Sequence, residues 1–146
     1  MNPQYSKQLM DLLSDLVFVF GSNRRGIHGA GAAKDALNFG AKYGQGRGLQ
    51  GRSYALPTKE TPYQTLSLDE IKKEVDLFNK AAEKNPLLKF LVTPVGTGRA
   101  GYKGSDIAPL FEKTSKLPNV ALPREFRDPL GVEINALTQD LFDLLK

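Results

Sequence analysis

The run Val17-Phe18-Val19-Phe20-Gly21-Ser22-Asn23-Arg24-Arg25-Gly26-Ile27-His28-Gly29-Ala30-Gly31-Ala32-Ala33 decides the fold. Its first four residues are apolar, alternating β-branched with aromatic, and predict a strand buried on both faces. They run straight into a polar, glycine-rich turn. Beyond it Ala30, Ala32, Ala33 and Ala36 are small enough for a helix packed close on a sheet, predicted over about 29–43. A strand, a glycine turn and a helix in that order open an α/β unit.

The same order of elements recurs further on. Lys89 to Val95 predicts a strand, and Gly96-Thr97-Gly98-Arg99-Ala100-Gly101-Tyr102-Lys103-Gly104 a loop. A helix capped by Ser105 or Asp106 follows to about Lys116. Nine of the 14 glycines lie between Gly21 and Gly51 and four between Gly96 and Gly104, so glycine is concentrated in loops that follow strands.

Leu9, Leu12, Leu13 and Leu16 predict a helix over 4–16. Residues 44–52 read as a loop, and Tyr54 to Pro57 as a short strand ended by its proline. Ser67 and Glu70 form a capping box that starts a helix running to about Lys84, where Asn85-Pro86 stops it. Asn119 to Leu122 predicts a strand, and the spacing of Ile134, Leu137, Leu141 and Leu144 or Leu145 a last helix. With no linker or low-complexity tract, residues 1–146 read as one α/β domain with a largely parallel sheet.

Composition narrows the chemistry. The 146 residues, 40% hydrophobic and 25% charged, suffice for a core without staples. The absence of cysteine excludes disulfides, a thiol nucleophile and thiolate metal sites. His28 is the only histidine, which excludes a multi-histidine zinc site within one chain. No pattern calls for a cofactor. No apolar run reaches the roughly 18 residues of a membrane helix, so no membrane partner is expected. Met1 to Tyr5 lacks the basic-then-apolar start of a leader, and a cytoplasmic location is expected. Lysine and arginine exceed the acids by 20 to 16, which favours an anionic partner.

In open α/β sheets, ligands bind beyond the carboxyl ends of the strands, where both glycine loops are predicted to lie. In the first loop Gly21, Ser22, Asn23, Gly29, Ala30, Gly31 and Ala32 are candidate ligand contacts. Glycine lets a ligand touch the backbone, and free N–H groups at a helix start suit phosphate. In the second, Gly96, Thr97, Gly98, Arg99, Ala100, Gly101 and Tyr102 could wrap a pyrophosphate as a nest of amides does. The first loop matches neither the dinucleotide nor the Walker pattern, and each loop also reads as a plain strand-to-helix turn. His28 suits acid–base work near neutrality, or is an exposed loop residue without a role. Arg24 and Arg25 read as phosphate partners or a solvated tip, and Gln45, Arg47, Gln50 and Arg52 as base recognition or surface. Tyr5, Tyr43, Tyr54 and Tyr63 read as packing aromatics. Phe126 reads as a stacking platform or as core. No basic helix, aromatic strand motif or zinc module points to sequence-specific nucleic-acid binding.

Three pieces in order resemble the macrodomain family: Val19-Phe20-Gly21-Ser22-Asn23 through Gly29-Ala30-Gly31-Ala32-Ala33; Tyr54-Ala55-Leu56-Pro57-Thr58-Lys59; and Val95-Gly96-Thr97-Gly98-Arg99-Ala100-Gly101-Tyr102. The resemblance spans about Val17 to Leu122. It implies a three-layer α/β/α sandwich with a central mixed, largely parallel sheet. It implies binding of ADP-ribose or a related NAD-derived nucleotide, with Asn23 near the distal ribose, 29–33 at the ribose and phosphates, and 96–102 over the pyrophosphate. The small branch that removes ADP-ribose from conjugates uses a lysine after the middle strand, matched by Lys59, and an acid in the second loop. That acid falls on Ala100 here, while Asp106 reads as a helix cap. Lys59 and His28 are therefore the catalytic candidates for removing ADP-ribose or its phosphate from an ADP-ribosylated macromolecule. The alternative is a non-enzymatic sponge or reader of an ADP-ribose-type signal.

Overall fold

The computed structural model describes residues 3–146; Met1 and Asn2, part of the start read for a leader, lie outside them. Six helices and six strands follow the order α1 (Pro3–Leu12), β1 (Leu16–Asn23), α2 (Gly31–Ala36), β2 (Gly48–Gln50), β3 (Ser53–Thr61), β4 (Gln64–Thr65), α3 (Leu68–Lys84), β5 (Lys89–Val92), α4 (Gly104–Ile107), β6 (Val120–Ala121), α5 (Arg124–Leu130) and α6 (Ala136–Leu144). The strands form one sheet in the order β2-β3-β1-β5-β6, with β4 also on β3. β1 runs parallel to β3 and β5, and β5 parallel to β6, while β2 and β4 are antiparallel to β3. The protein is thus α/β with a mixed, mostly parallel sheet.

The apolar run in β1 is buried on both faces, and its alternation sorts the helices. Leu16, Phe18 and Phe20 pack with Leu9 and Met10 of α1, Ala33 and Ala36 of α2, and Leu141 of α6. Val17 and Val19 belong to the other cluster, with Ile71, Val75 and Phe78 of α3 and Phe126 of α5. Phe126 is core, stacked on Phe111 with ring centroids 4.9 Å apart. Each fully buried side chain of this size contributes roughly 1.5–3 kcal/mol.

Helix α3 starts and stops as its signals predict. Ser67 accepts the Glu70 N–H at 3.2 Å, and the Glu70 carboxylate accepts the Ser67 N–H at 3.3 Å. Other boundaries move. The first helix stops at Leu12, and Leu16 opens β1 instead. Arg52 takes up the freed carbonyls there, donating Nη2 to Met10 O at 2.7 Å and to Leu13 O. The second helix covers only 31–36, with a 3-10 turn at 37–39 that Gly40 ends. Residues 48–50 of the predicted loop form an edge strand, β2.

Strand β3 does not end at Pro57 but continues to Thr61. Pro57 lies opposite Ser22, where the ladder shifts register between Ser22 and Asn23, so its missing N–H falls at an irregularity. β5 ends at Val92, two residues before Pro94. The helix predicted from Ser105 or Asp106 begins earlier, with Lys103 as N-cap, and breaks into α4 and two 3-10 turns. Asp106 sits in its first turn and accepts the Lys103 N–H at 2.9 Å. α5 follows Pro123 with no apolar periodicity to announce it. No helix among the described residues is long and apolar enough to cross a membrane.

Candidate functional site

β1 and β5 are parallel neighbours, with Val19 opposite Val92, so the loops leaving their carboxyl ends emerge side by side. From β1 the chain crosses to β3 on one flank, then returns past β1 to β5 on the other. β1 is therefore a topological switch point, where open α/β sheets form a crevice. β3 delivers Lys59 opposite Asn23, and the Lys59 carbonyl accepts the Arg24 N–H at 2.9 Å.

The first loop is folded by its own asparagine. Asn23 is buried, donates Nδ2 to Ile27 O at 2.9 Å and accepts the Ile27 N–H at 3.1 Å. Gly26 closes the turn at φ +73, a conformation that favours glycine. A further segment, 44–47, is clamped onto this loop. Ser22 Oγ donates to Gly46 O at 2.5 Å, and the Gly44 N–H donates to Gly26 O at 2.8 Å. A Cβ at Gly46 would overlap the Asn23 carbonyl oxygen, so the two backbones touch.

His28 is not an exposed loop residue. It is 1% exposed, with Nε2 3.1 Å from Gln45 O and its ring edge-on to Phe20 at 5.2 Å. Its Nδ1 is buried without a hydrogen-bond partner among the described residues. The geometry makes His28 a bolt between 28 and 45, set beneath the loop surface.

Arg24 is not a solvated tip either. It binds Glu60 at 2.9 Å, Glu70 at 3.1 Å and Glu74 at 3.3 Å, and above all the Glu60 bond raises its pKa. Glu74, 2% exposed on α3, also accepts two bonds from Arg47. One buried carboxylate thus ties down the residue after Asn23 and the residue after Gly46. Arg25 remains exposed. Gln50 accepts the Lys42 N–H at 2.7 Å and donates to Gln45 O at 3.2 Å, bracing the same segment.

In the second loop the Gly101 N–H reaches Gly98 O and the Tyr102 N–H reaches Gly96 O, both at 3.0 Å. Thr97 Oγ1 donates to Pro94 O at 2.6 Å. The half-buried Tyr102 donates its hydroxyl to Leu66 O at 2.7 Å, which anchors the loop. The N–H groups of Gly98, Arg99 and Ala100 have no acceptor among the described residues. Three consecutive unpaired amides suit an anion. The Ala100 carbonyl accepts the Thr65 hydroxyl at 3.1 Å, so the β3–β4 hairpin leans on this loop.

Lys59, opposite Asn23 and close enough to Arg99 to feel its charge, is part-buried, with no hydrogen bond or ion pair to its ammonium among the described residues. Burial first, and then the charge of Arg99, lower its pKa. Lys59 and Arg99 are thus two cations near one another that lack an acidic partner among the described residues. Gly29 and Gly98, one in each loop, have no atom within 4 Å of a Cβ and no left-handed φ, so neither packing nor conformation requires glycine. Among the described residues, no group of three or more metal-ligating side chains assembles.

The sequence candidates of the two loops and Lys59 therefore line one edge, with His28 and the Asn23 side chain serving its architecture. Glu74 and Gly46 escaped the sequence reading. The signal for Glu74 was an acid three residues after Ile71, on the apolar stripe of α3. Of the four tyrosines read as packing residues, Tyr54 is buried while Tyr5, Tyr43 and Tyr63 are exposed. Comparisons with protein-family models, curated proteins and solved structures return no significant match.

Proposed function

We propose that this chain binds ADP-ribose or a related NAD-derived nucleotide across the carboxyl edge of its sheet, within a three-layer α/β/α sandwich of the macrodomain type. The observation that carries the reading is the row of unpaired amides at Gly98, Arg99 and Ala100, set beside the loop that holds Gly29. A pyrophosphate fits that row, and Lys59 and Arg99 supply the countercharge. Gly29 leaves room for a sugar against the first loop. The test is thermal stability with ADP-ribose, NAD and cyclic ADP-ribose isomers. At one hundred times its Kd a binder gains roughly 2.7 kcal/mol. No shift with any of them at saturation would remove the proposal.

A second reading adds catalysis. Its support is Lys59, whose lowered pKa and lack of a partner suit proton transfer or nucleophilic work. The substrate would be ADP-ribose, or its phosphate, on a conjugate. Ala100 offers no carboxylate, so Lys59 would act without the loop acid. Mass spectrometry of ligands before and after incubation separates turnover from intact capture by a sponge or reader.

A further inference from the structure

We propose that a cleft between α1, α6 and the sheet holds a short-chain monocarboxylate, its carboxylate on the fork of Arg127 and its apolar body on Leu91, Ala121 and Leu122. The inference goes beyond the nucleotide reading and does not depend on it. The cleft lies at the carboxyl ends of β5 and β6, and Ser6 of α1 and Thr138 of α6 line it with them. Lys59 stands on β3, with β1 and β5 between that strand and β6.

The guanidinium is fixed in place. Arg127, on α5, donates Nε to Leu122 O at 3.1 Å, and its guanidinium carbon lies 5.8 Å from the centre of the Phe142 ring on α6. These contacts leave Nη1 and Nη2 without a hydrogen bond or ion pair among the described residues. No carboxylate is among the described residues that line the cleft. Glu133 lines an adjoining cleft that shares Arg127, but it is exposed and makes no ion pair among the described residues. A part-buried arginine held by a carbonyl and a ring, with both end nitrogens open, offers paired donors to one planar anion.

The walls select the anion. Leu91, Val92, Ala121, Leu122 and Pro123 make them largely apolar. The two threonines give their hydroxyl hydrogens elsewhere, Thr93 to Val19 O at 2.7 Å and Thr138 to Asn135 Oδ1 at 2.6 Å. Neither has a hydrogen left for an anion. Phosphate, with more charge and four oxygens, finds too few donors there. A carboxylate needs only the fork, and its carbon chain suits the walls. The cleft is narrow, which keeps that chain short.

The experiment is proton–nitrogen correlation NMR of the whole protein, read at the Arg127 Nε–H and the Ala121 amide. The probes are butyrate, butyramide, phosphate and chloride at matched ionic strength. Butyrate should shift both signals and approach saturation near about 50 mM, the range expected of so small a ligand. Butyramide keeps the shape without the charge and should bind about tenfold more weakly. Ala121→Val adds methyl groups to the cleft, leaves the fork in place and should abolish the saturable shift. Arg127→Lys keeps the charge, loses the fork and should weaken binding about tenfold; it serves where Ala121→Val does not fold. Lys59→Ala should bind butyrate like the native protein. No saturable shift with butyrate overturns the proposal. So does equal binding of butyramide, phosphate or chloride, and so does a folded Ala121→Val or Arg127→Lys protein that binds like the native one. Displacement of butyrate by ADP-ribose also overturns it, because the cleft would then belong to the nucleotide site.

Discussion

Arg47 grips Glu74 with two arms of its guanidinium, Nε to Oε1 at 2.7 Å and Nη2 to Oε2 at 2.5 Å. The pair spans 27 residues of sequence and fastens the 44–47 segment to α3. Glu74 also receives Arg24, so the first glycine loop and the segment lying on it share one buried anchor. A bidentate contact of this kind fixes direction as well as distance.

Glu74→Ala should therefore loosen the site as well as the fold. It removes charge-assisted bonds but leaves arginines that water can reach, so the cost is about 2 kcal/mol rather than that of a stranded buried charge. Urea unfolding measures it. Arg47→Lys should not restore the anchor, because an ammonium cannot reproduce the fork. A loss below about 0.5 kcal/mol would put Glu74 among ordinary surface acids.

The glycines divide into two groups. Gly46→Ala should cost at least about 2 kcal/mol, because its Cβ meets the Asn23 and Arg24 backbone. Gly29→Ala and Gly98→Ala meet nothing and should stay within about 0.5 kcal/mol of the native protein. Their effect should appear instead as a loss of nucleotide binding. Native binding in both alanine variants would show that the ligand does not lie against these loops.

Under the proposed nucleotide reading, Lys59 should make binding depend on pH. In the free protein its pKa lies below the ordinary 10.5. A bound phosphate favours the charged ammonium and raises that pKa, so binding takes up protons between the two values. Affinity should fall as the pH rises through this window. Calorimetry in buffers of different ionisation enthalpy detects the uptake, and Lys59→Ala should abolish it. Under the catalytic reading, Lys59→Ala should also end turnover while some binding persists.

His28→Ala should behave as a core truncation. It leaves a void against Phe20 and takes from the Gln45 carbonyl one of its two hydrogen bonds, at a cost of about 2 kcal/mol. Its Tm should drop before ligand is added. A fully stable His28→Ala protein that lost only turnover would restore the acid–base role.

Tyr54 governs alkaline stability. Burial, then the negative charge of Glu74, push its hydroxyl up to about 12. A raised folded pKa means its contribution is complete below 10.0, the ordinary value, and is lost as the pH climbs through about 12. Two units correspond to roughly 3 kcal/mol. The native protein should lose that much more stability across this interval than Tyr54→Phe, measured by urea unfolding at each pH.

Local patterns made much of this molecule readable. The apolar run into Gly21 announced a strand buried on both sides, because a doubly covered strand has no polar face to alternate. Ser67 and Glu70 announced α3, because a capping box needs only four residues of chain. The end of α1 was not readable: the leucine spacing continues through Leu16, while the carbonyls that end the helix are met by Arg52, some 40 residues away. β2 was hidden because three residues of edge strand carry no period, and the exposure of Tyr63 because an aromatic residue reads the same inside and out.

The sequence by itself therefore determined where the strands meet glycine loops and which residue types those loops carry. Only the tertiary structure decided that β1 lies between β3 and β5, and this brings Lys59, Asn23 and Gly98 to one edge. It also made Arg24, Arg47 and His28 fastenings of the loops. Hydrogen bonding along the backbone acts over a few residues and leaves its mark in the sequence. Charge pairing and burial act across space, and their partners become known only when the strand order is set.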